Sequence, residues 1–415
     1  MKTAVVVGLA RSGRAAALAL RRRGVDVVAV DRDESLVPGE LRAAGVDVRL
    51  GEESAGLLAG ADVLVKSPGV PAEAALVRAA HERGIPVWSE IELGIRLFPG
   101  HPVVGVTGTN GKTTTTELLG AIFRAAGRPV AVAGNVGTPL TGVEPEPDAW
   151  LVLELSSFQL EDVHELRPRV GVLLNVEPDH LDRHGTVDAY RDAKLRLFAR
   201  QLAEDVAVVP AGFGPVPGLG SRAEFHRDDL LPAEPRIPGP HNRENAAAAT
   251  AAARAAGIGD DAIARGLREF RGVPHRLEPV GERRGVHFVN DSKATNTAAA
   301  RRALEAVDAP LHLILGGSAK GERFTELALA VAAGNVQAAY LVGETAPELA
   351  DALGAAGVPY RHCAVLATAV EEAATAAAPG EVVLLSPACA SYDQFTDFEA
   401  RGDEFRRLVG ALPVD

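Results

Sequence analysis

The sequence is poor in cysteine, lysine and positive charge, and it has no long hydrophobic run. Its two cysteines, Cys363 and Cys389, support neither a disulfide framework nor a zinc site. No stretch reaches the roughly 18 apolar residues that a spanning helix needs, so no membrane insertion is expected and a cytoplasmic location is the default. The opening segment "MKTAVVVGLARSG" is interrupted by Gly8 and Arg11 and reads as a strand, not a signal peptide. A net charge of -12 argues against nucleic acid or anionic membranes as partners, so any anionic ligand must be held by local positive groups. What is present is a 415-residue chain with 47% hydrophobic and 24% charged residues, which suits a soluble globular protein of two or three domains.

The scarcity of lysine is informative. Of 43 basic residues only six are lysine: Lys2, Lys66, Lys112, Lys194, Lys293 and Lys320. Arginine serves wherever a generic positive charge suffices, so the remaining lysines become candidates for work that needs a compact point charge or a modifiable primary amine.

Residues 4–31 read strand, glycine turn, helix, strand, which is a βαβ unit opening a parallel sheet. "ADVLVKSPGV" continues the alternation, "RGIPVWSEIELG" closes the region, and "FPGHP" near residue 100 punctuates the boundary. A second region opens with the strand "PVVGVTG" and a helix through about Ala126, followed by the strands "WLVLEL" and "VGVLLNV". From "PAGFGPVPGLG" to "PRIPGPHN" no regular structure is evident, whereas the alanine run 246–253 predicts a helix. After "RGVPHRLEPV" strands and helices alternate again, through "VHFVND", "LHLILGG", "AAYLVG" and "EVVLLSPA". The expectation is three α/β domains in series: a Rossmann-like domain at 1–97, a central domain with a mostly parallel sheet at 98–272, and a second Rossmann-like α/β domain at 273–415.

The stretch "GVTGTNGKTT", residues 105–114, resembles a phosphate-binding loop but departs from G-x-x-x-x-G-K-[ST], because Val106 stands where the first glycine belongs. Gly108, Gly111 and the threonine run still place backbone N–H groups and a helix N-terminus where phosphate could sit. Lys112 would reach the β- and γ-phosphates and Thr113 would offer a hydroxyl to Mg²⁺. The bland alternative is a solvent-facing turn. Glu154 closes the buried strand "WLVLEL", where a carboxylate suits a hard divalent ion or is simply a surface acid. His180 in "DHLDRHG" and Lys194 in "YRDAKLRLF" read by chemistry alone either as structural residues or as a functional pair. In "GLARSG", Ala10 replaces the second glycine of a dinucleotide fingerprint, and Asp31 could be the strand-end acid that holds a ribose of NAD.

The motifs "GTNGKTT", "LELSSFQLE", "DHLDRHG" with "AKLRLF", "GPHNRENAAAA", "HRLE", "NDSKATN" and "LLSPACASYDQFTDFEARG" occur in the order found in the Mur ligases of peptidoglycan synthesis. The last three resemble the D-glutamate-adding branch. The resemblance covers essentially the whole chain, and in this family a loop with Thr-Asn before Gly-Lys is a P-loop variant. It implies an ATP site of Gly108, Thr109, Asn110, Gly111, Lys112, Thr113, Thr114, Asn242, Asn245, Arg276, Asp291 and Lys293. It implies that CO₂ carbamylates Lys194, and that Thr113, Glu154, His180 and the carbamate hold two Mg²⁺ ions. Arg11, Ser12, Asp31, Gly69, Asn135 and His180 would face UDP-MurNAc-L-Ala. Thr295, Lys320, Ser391, Tyr392 and Phe398 would face D-glutamate, with Ala319 where relatives often carry an acid before the lysine. The implied activity is amide ligation through an acyl phosphate, by a monomer whose third domain closes on the ATP site. Rival readings are a sister Mur or folate-type ligase adding another amino acid, an NAD-dependent oxidoreductase, and a nucleotide-gated binding module without ligase chemistry.

Overall fold

The computed structural model describes residues 1–237, 239–319 and 323–413. They form two compact units, Met1–Arg271 and Gly272–Asp415.

The first unit contains two parallel sheets. One is built from β1 (Thr3–Val7), β2 (Asp26–Asp31), β3 (Asp47–Leu50), β4 (Val63–Lys66) and β5 (Val87–Ser89), in the order β3-β2-β1-β4-β5. Its central strands are nearly all apolar because helices cover both faces. Ala4 and Val6 pack with Ala16, Ala17 and Leu20 of helix Arg11–Arg22, while Val5 and Leu64 pack with Leu76 and Ala80 of helix Ala75–Glu82. The second sheet comprises β6 (Val103–Thr107), β7 (Val130–Gly134), β8 (Trp150–Glu154), β9 (Val170–Leu173), β10 (Val206–Pro210) and β11 (Ser221–Phe225), in the order β11-β10-β9-β6-β8-β7. The Gly/Pro-rich stretch thus holds a strand, β11, that the sequence reading did not find. The alanine run lies in helix Pro240–Ala255, with Pro240 at its first turn.

The two sheets are tied together by buried polar groups. Helix Glu90–Leu97 is capped by Ser89, whose hydroxyl accepts the Glu92 N–H. Glu90 is fully buried, and its Oε1 accepts both the N–H and the hydroxyl of Thr141, at 2.6 and 2.7 Å, while Oε2 has no partner. Burial outweighs those two donors and pushes the Glu90 carboxyl up to about 7. Lys66, also buried, ends β4 with its amine 2.8 Å from Asp162, in ion-pair contact though not aligned as a hydrogen bond.

The second unit carries β12 (Glu278–Arg283), β13 (Val286–Asn290), β14 (Leu311–Gly316), β15 (Val336–Val342), β16 (Tyr360–Ala364) and β17 (Val382–Leu385), in the order β12-β13-β17-β14-β15-β16. Only β12 runs antiparallel, with a bulge between Pro279 and Gly281. Both cysteines are buried, and neither forms a disulfide among the described residues. Among the described residues no helix is long and apolar enough to cross a membrane.

Candidate active site

In a parallel sheet, ligands gather beyond the carboxyl ends of strands where the strand order reverses. In the second sheet that place is β6, flanked by β9 and β8, and the loop 108–111 leaves from it. The register aligns Val106 with Glu154, and Glu154 with Gly134 of β7, so three strand ends open on one edge. Gly134 has φ +128, and a Cβ there would lie 2.1 Å from the Glu154 carbonyl, so only glycine lets β7 close on β8.

The loop takes a shape few side chains allow. Gly108 has φ +155 and Gly111 φ +84; a Cβ on Gly111 would lie 2.2 Å from Asn245 Oδ1. Asn245, buried on helix Pro240–Ala255, therefore packs directly against the loop, one turn beyond the half-buried Asn242. Helix Lys112–Ala125 begins after Gly111 without a side-chain cap, and Thr113 and Thr114 are buried in its first turn. Lys112 Nζ donates to the carbonyls of Gly108 and Thr109, both at 2.8 Å. Lys194 Nζ, at the end of helix Val187–Leu195, donates to the same Gly108 carbonyl at 2.8 Å. Two amines from distant segments thus converge on one oxygen.

Lys194 is almost wholly buried, with its ammonium 4.2 Å from the centre of the Tyr190 ring. Burial first, and the neighbouring Lys112 charge second, bring its amine down to about 7. At neutral pH roughly half of such an amine is neutral, against roughly one in three thousand for an ordinary lysine. Glu154 is buried at the end of β8 and accepts from Asn135 Nδ2 at 3.3 Å. His180 has φ +51, lies with Nε2 3.5 Å from Asp179, and packs its ring against Phe158. Among the described residues no three His, Cys, Asp or Glu side chains converge as a metal cage. The Thr113 hydroxyl and the Glu154 carboxylate are oxygen donors of the kind a hard divalent ion takes, together with further ligands from phosphate and water.

The first sheet has its own turn at the end of β1. Gly8 has φ +85, and a Cβ on Gly13 would meet the Gly8 carbonyl at 1.8 Å, which fixes the close seating of helix Arg11–Arg22. Asp31 accepts the N–H groups of Leu9 and Asp33 at 2.6 and 2.9 Å, so its carboxylate already orders this turn. Arg11 donates to the Gly137 carbonyl at 3.2 Å, which brings the turn beside the Asn135 loop of the second sheet. Ser12 is half-buried and Gly69 exposed. Arg183, just after His180, donates to Glu161 at 2.9 Å and to the carbonyls of Pro68 and Val70, so it fastens the Gly69 loop to the His180 segment.

In the second unit Asp291 follows β13 and accepts from Ser386 Oγ at 2.8 Å and from the Leu277 N–H at 3.2 Å; burial raises its carboxyl to about 6. Lys293 donates its backbone N–H to the His275 carbonyl, and Arg276 beside it is exposed. Thr295 is half-buried, Ser391 buried, and Tyr392 exposed with its N–H on Ser318 Oγ at 3.1 Å. Phe398 begins helix Phe398–Ala411, its ring 6.2 Å from that of His275. Lys320 lies outside the described residues. Beneath this group Arg401 is buried: Nε donates to Ser292 Oγ, Nη1 to the carbonyls of Cys389 and Ala390, and Nη2 to those of Ser292 and Cys389.

Known proteins place this arrangement in a family. The Mur ligase MurD-like N-terminal domain matches residues 2–89, the Mur ligase middle domain 106–212, and the Mur ligase glutamate ligase domain 275–389. The UDP-N-acetylmuramoylalanine–D-glutamate ligase of Anaeromyxobacter dehalogenans is 45% identical, over 97% of this chain and 96% of the relative. The enzyme of the same name from Sphingopyxis alaskensis is 44% identical, over 98% and 96%. The chain belongs to the Mur ligases. Its fold is that of the UDP-N-acetylmuramate–alanine ligase of Thermotoga maritima, with a TM-score of 0.60 at 20% identity over 99% of this chain and 98% of that one.

As a Mur ligase the chain uses ATP. Several residues of this Mur ligase escaped the sequence reading. Asn175 and Glu177, just past β9, hold the loop through hydrogen bonds to Thr109 and Asn110, and Tyr190 contacts both Thr109 and Lys194. Arg183 and Arg401 act through backbone carbonyls. Arg183, Tyr190 and Arg401 lie inside the quoted motifs, but residue type alone does not reveal what they hold. A separate cavity of about 490 Å³ near Phe98, His101 and Arg169 contains none of the candidate residues, and its Arg96, Arg167 and Arg169 are already paired with acids.

Proposed function

We propose that this Mur ligase adds D-glutamate to UDP-N-acetylmuramoyl-L-alanine in peptidoglycan precursor synthesis, with release of ADP and phosphate. The observation that carries the reading is the convergence of Lys112 and Lys194 on the Gly108 carbonyl, at the mouth of a glycine loop and a helix N-terminus. The names of the near full-length relatives supply the substrates.

A carboxylate and an ammonium do not condense readily at neutral pH, because the carboxylate is a poor electrophile and its oxygen a poor leaving group. Phosphorylation remedies both. The alanyl carboxylate attacks the γ-phosphate of ATP in line, forming an acyl phosphate and ADP. Lys112 neutralises charge on the phosphate oxygens, and the opening amides of helix Lys112–Ala125 orient them. The D-glutamate amine then attacks the carbonyl, and the tetrahedral intermediate collapses with loss of phosphate. Thr113, Glu154, His180 and a carbamate on Lys194 would hold two Mg²⁺ ions, which when bound supply further neutralisation of phosphate charge. The low-pKa amine of Lys194 suits carbamylation, a modification arginine cannot undergo.

In the same reading Asn242 and Asn245, with Arg276, Asp291 and Lys293 from the second unit, serve the nucleotide. Arg11, Ser12, Asp31, Gly69, Asn135 and His180 serve the UDP substrate. Thr295, Lys320, Ser391, Tyr392 and Phe398 recognise the amino acid. The domains divide at 1–97, 98–272 and 273–415, and the enzyme works as a cytoplasmic monomer.

The test is phosphate release with ATP, UDP-MurNAc-L-Ala and a panel of amino acids in both chiralities, using substrate labelled with ¹⁸O in its carboxylate. D-Glutamate alone should support turnover, and label should appear in the phosphate. Lys112→Ala should abolish ADP formation. Unlabelled phosphate, or unchanged turnover in that variant, would remove the mechanism; a preference for another amino acid would favour a sister ligase.

A further inference from the structure

The loop 108–111 has one glycine fewer than the usual phosphate-binding pattern, and its shape is held from outside. Asn175 lies just past β9, the neighbour of β6 on the side away from β8. Its Oδ1 accepts the N–H of Thr109 at 3.0 Å and that of Asn110 at 2.8 Å. Its Nδ2 donates to the Asn110 carbonyl at 3.3 Å, and its own carbonyl accepts the Thr109 N–H a second time at 3.1 Å. Glu177 completes the frame: its carboxylate accepts Asn110 Nδ2 at 2.9 Å, and its N–H donates to Thr109 Oγ1 at 3.0 Å.

This arrangement has a chemical consequence for the nucleotide. In a glycine-rich phosphate loop the successive backbone N–H groups are the cradle. Here two of them, at Thr109 and Asn110, are directed to a carboxamide oxygen. The backbone donors facing the phosphates are then the opening amides of helix Lys112–Ala125, which have no acceptor within the helix. The carboxamide also fixes the path between Gly108 and Gly111, both in backbone conformations that a released loop would leave readily. That path decides where the Gly108 and Thr109 carbonyls sit, and they in turn hold the amine of Lys112.

We propose that Asn175 is a positioning residue for the nucleotide: it holds the loop open in the phosphate-accepting shape and confines phosphate to Lys112 and the helix's first turn. The inference rests on the ATP reading given above. It concerns affinity for the nucleotide and not for the other substrates, because among the described residues the Asn175 carboxamide hydrogen-bonds to the loop and to no other segment.

The experiment is calorimetric titration of ADP into the wild-type chain and into Asn175→Ala and Asn175→Asp variants, with KM values for ATP, UDP-MurNAc-L-Ala and D-glutamate measured in parallel. Asn175→Ala should weaken ADP binding by about ten- to a hundredfold and raise the KM for ATP alike, while the other two KM values stay within about twofold. Asn175→Asp keeps an acceptor for both amides and should recover at least a third of that loss on a logarithmic scale. Unchanged ADP affinity in Asn175→Ala, an equal loss for all three substrates, or no recovery in Asn175→Asp would overturn the proposal. Absence of ADP binding by the wild-type chain would instead overturn the ATP reading itself. If Asn175→Ala fails to fold, the near-isosteric Asn175→Leu, which has no acceptor for either amide, takes its place under the same criteria.

Discussion

Replacing Glu90 by glutamine removes a titration that the fold places between the first two sheets. The carboxyl is fully buried, takes two donors from Thr141 on one oxygen, and is raised from the ordinary 4.5 to about 7. Because the folded value lies above the unfolded one, the neutral carboxyl's contribution is fully present below about pH 4.5 and is lost as pH rises through about 7. One pH unit of such a difference corresponds to about 1.4 kcal/mol, so wild-type protein should lose roughly 2 to 3 kcal/mol between pH 5 and pH 8 through this group alone. Glutamine copies the neutral acid in shape and cannot ionise. Other titrating groups are common to both proteins and cancel in the difference. The only tryptophans, Trp88 and Trp150, both lie in the first unit, so urea unfolding followed by tryptophan fluorescence reports on the right part of the molecule. The stability gap between Glu90→Gln and wild type should shift in favour of the variant by that amount across this range and level off above about pH 8. Parallel pH profiles for the two proteins would refute the reasoning.

Lys194→Ala should lower D-glutamate-dependent ADP release by about a hundredfold or more, with partial recovery on adding short-chain carboxylic acids that stand in for the carbamate; full activity in the variant, measured by a coupled ADP assay, would refute a role in metal binding. Arg401→Met should strand the carbonyls of Ser292, Cys389 and Ala390, destabilise the second unit by about 3 kcal/mol in hydrogen exchange, and raise the KM for D-glutamate; an unaltered KM for D-glutamate would separate the guanidinium from Ser391 and Tyr392.

The parallel strands were legible because burial on both faces writes them as runs of valine and leucine, as in β1, β6, β14 and β17. Edge strands were not. β11 is Ser-Arg-Ala-Glu-Phe, with Phe225 its one fully buried residue, and β16 is Tyr-Arg-His-Cys-Ala, where only Cys363 is buried. Such strands are specified by the neighbour they pair with, a relation absent from local composition. β12 carries a proline and a bulge, which an edge position tolerates. At the site, the loop, Glu154 and Lys194 stood out by residue type and position. Asn175, Arg183 and Arg401 did not, because most of their partners are backbone groups that only the fold brings within reach, and a backbone N–H or carbonyl leaves no mark in the sequence. Lysine scarcity drew attention to Lys66, but its acidic partner, Asp162, emerged only when two sheets were set side by side.

The amine of Lys112 rests on carbonyl oxygens of its own loop. If Lys112 receives the phosphates as proposed, an arriving triphosphate must win that cation from existing partners, so part of the attraction is spent on exchange and binding is tempered. When the spent nucleotide departs, the same oxygens stand ready to take the cation back. On that reading the loop stabilises the emptied site, which favours repeated turnover over tight retention.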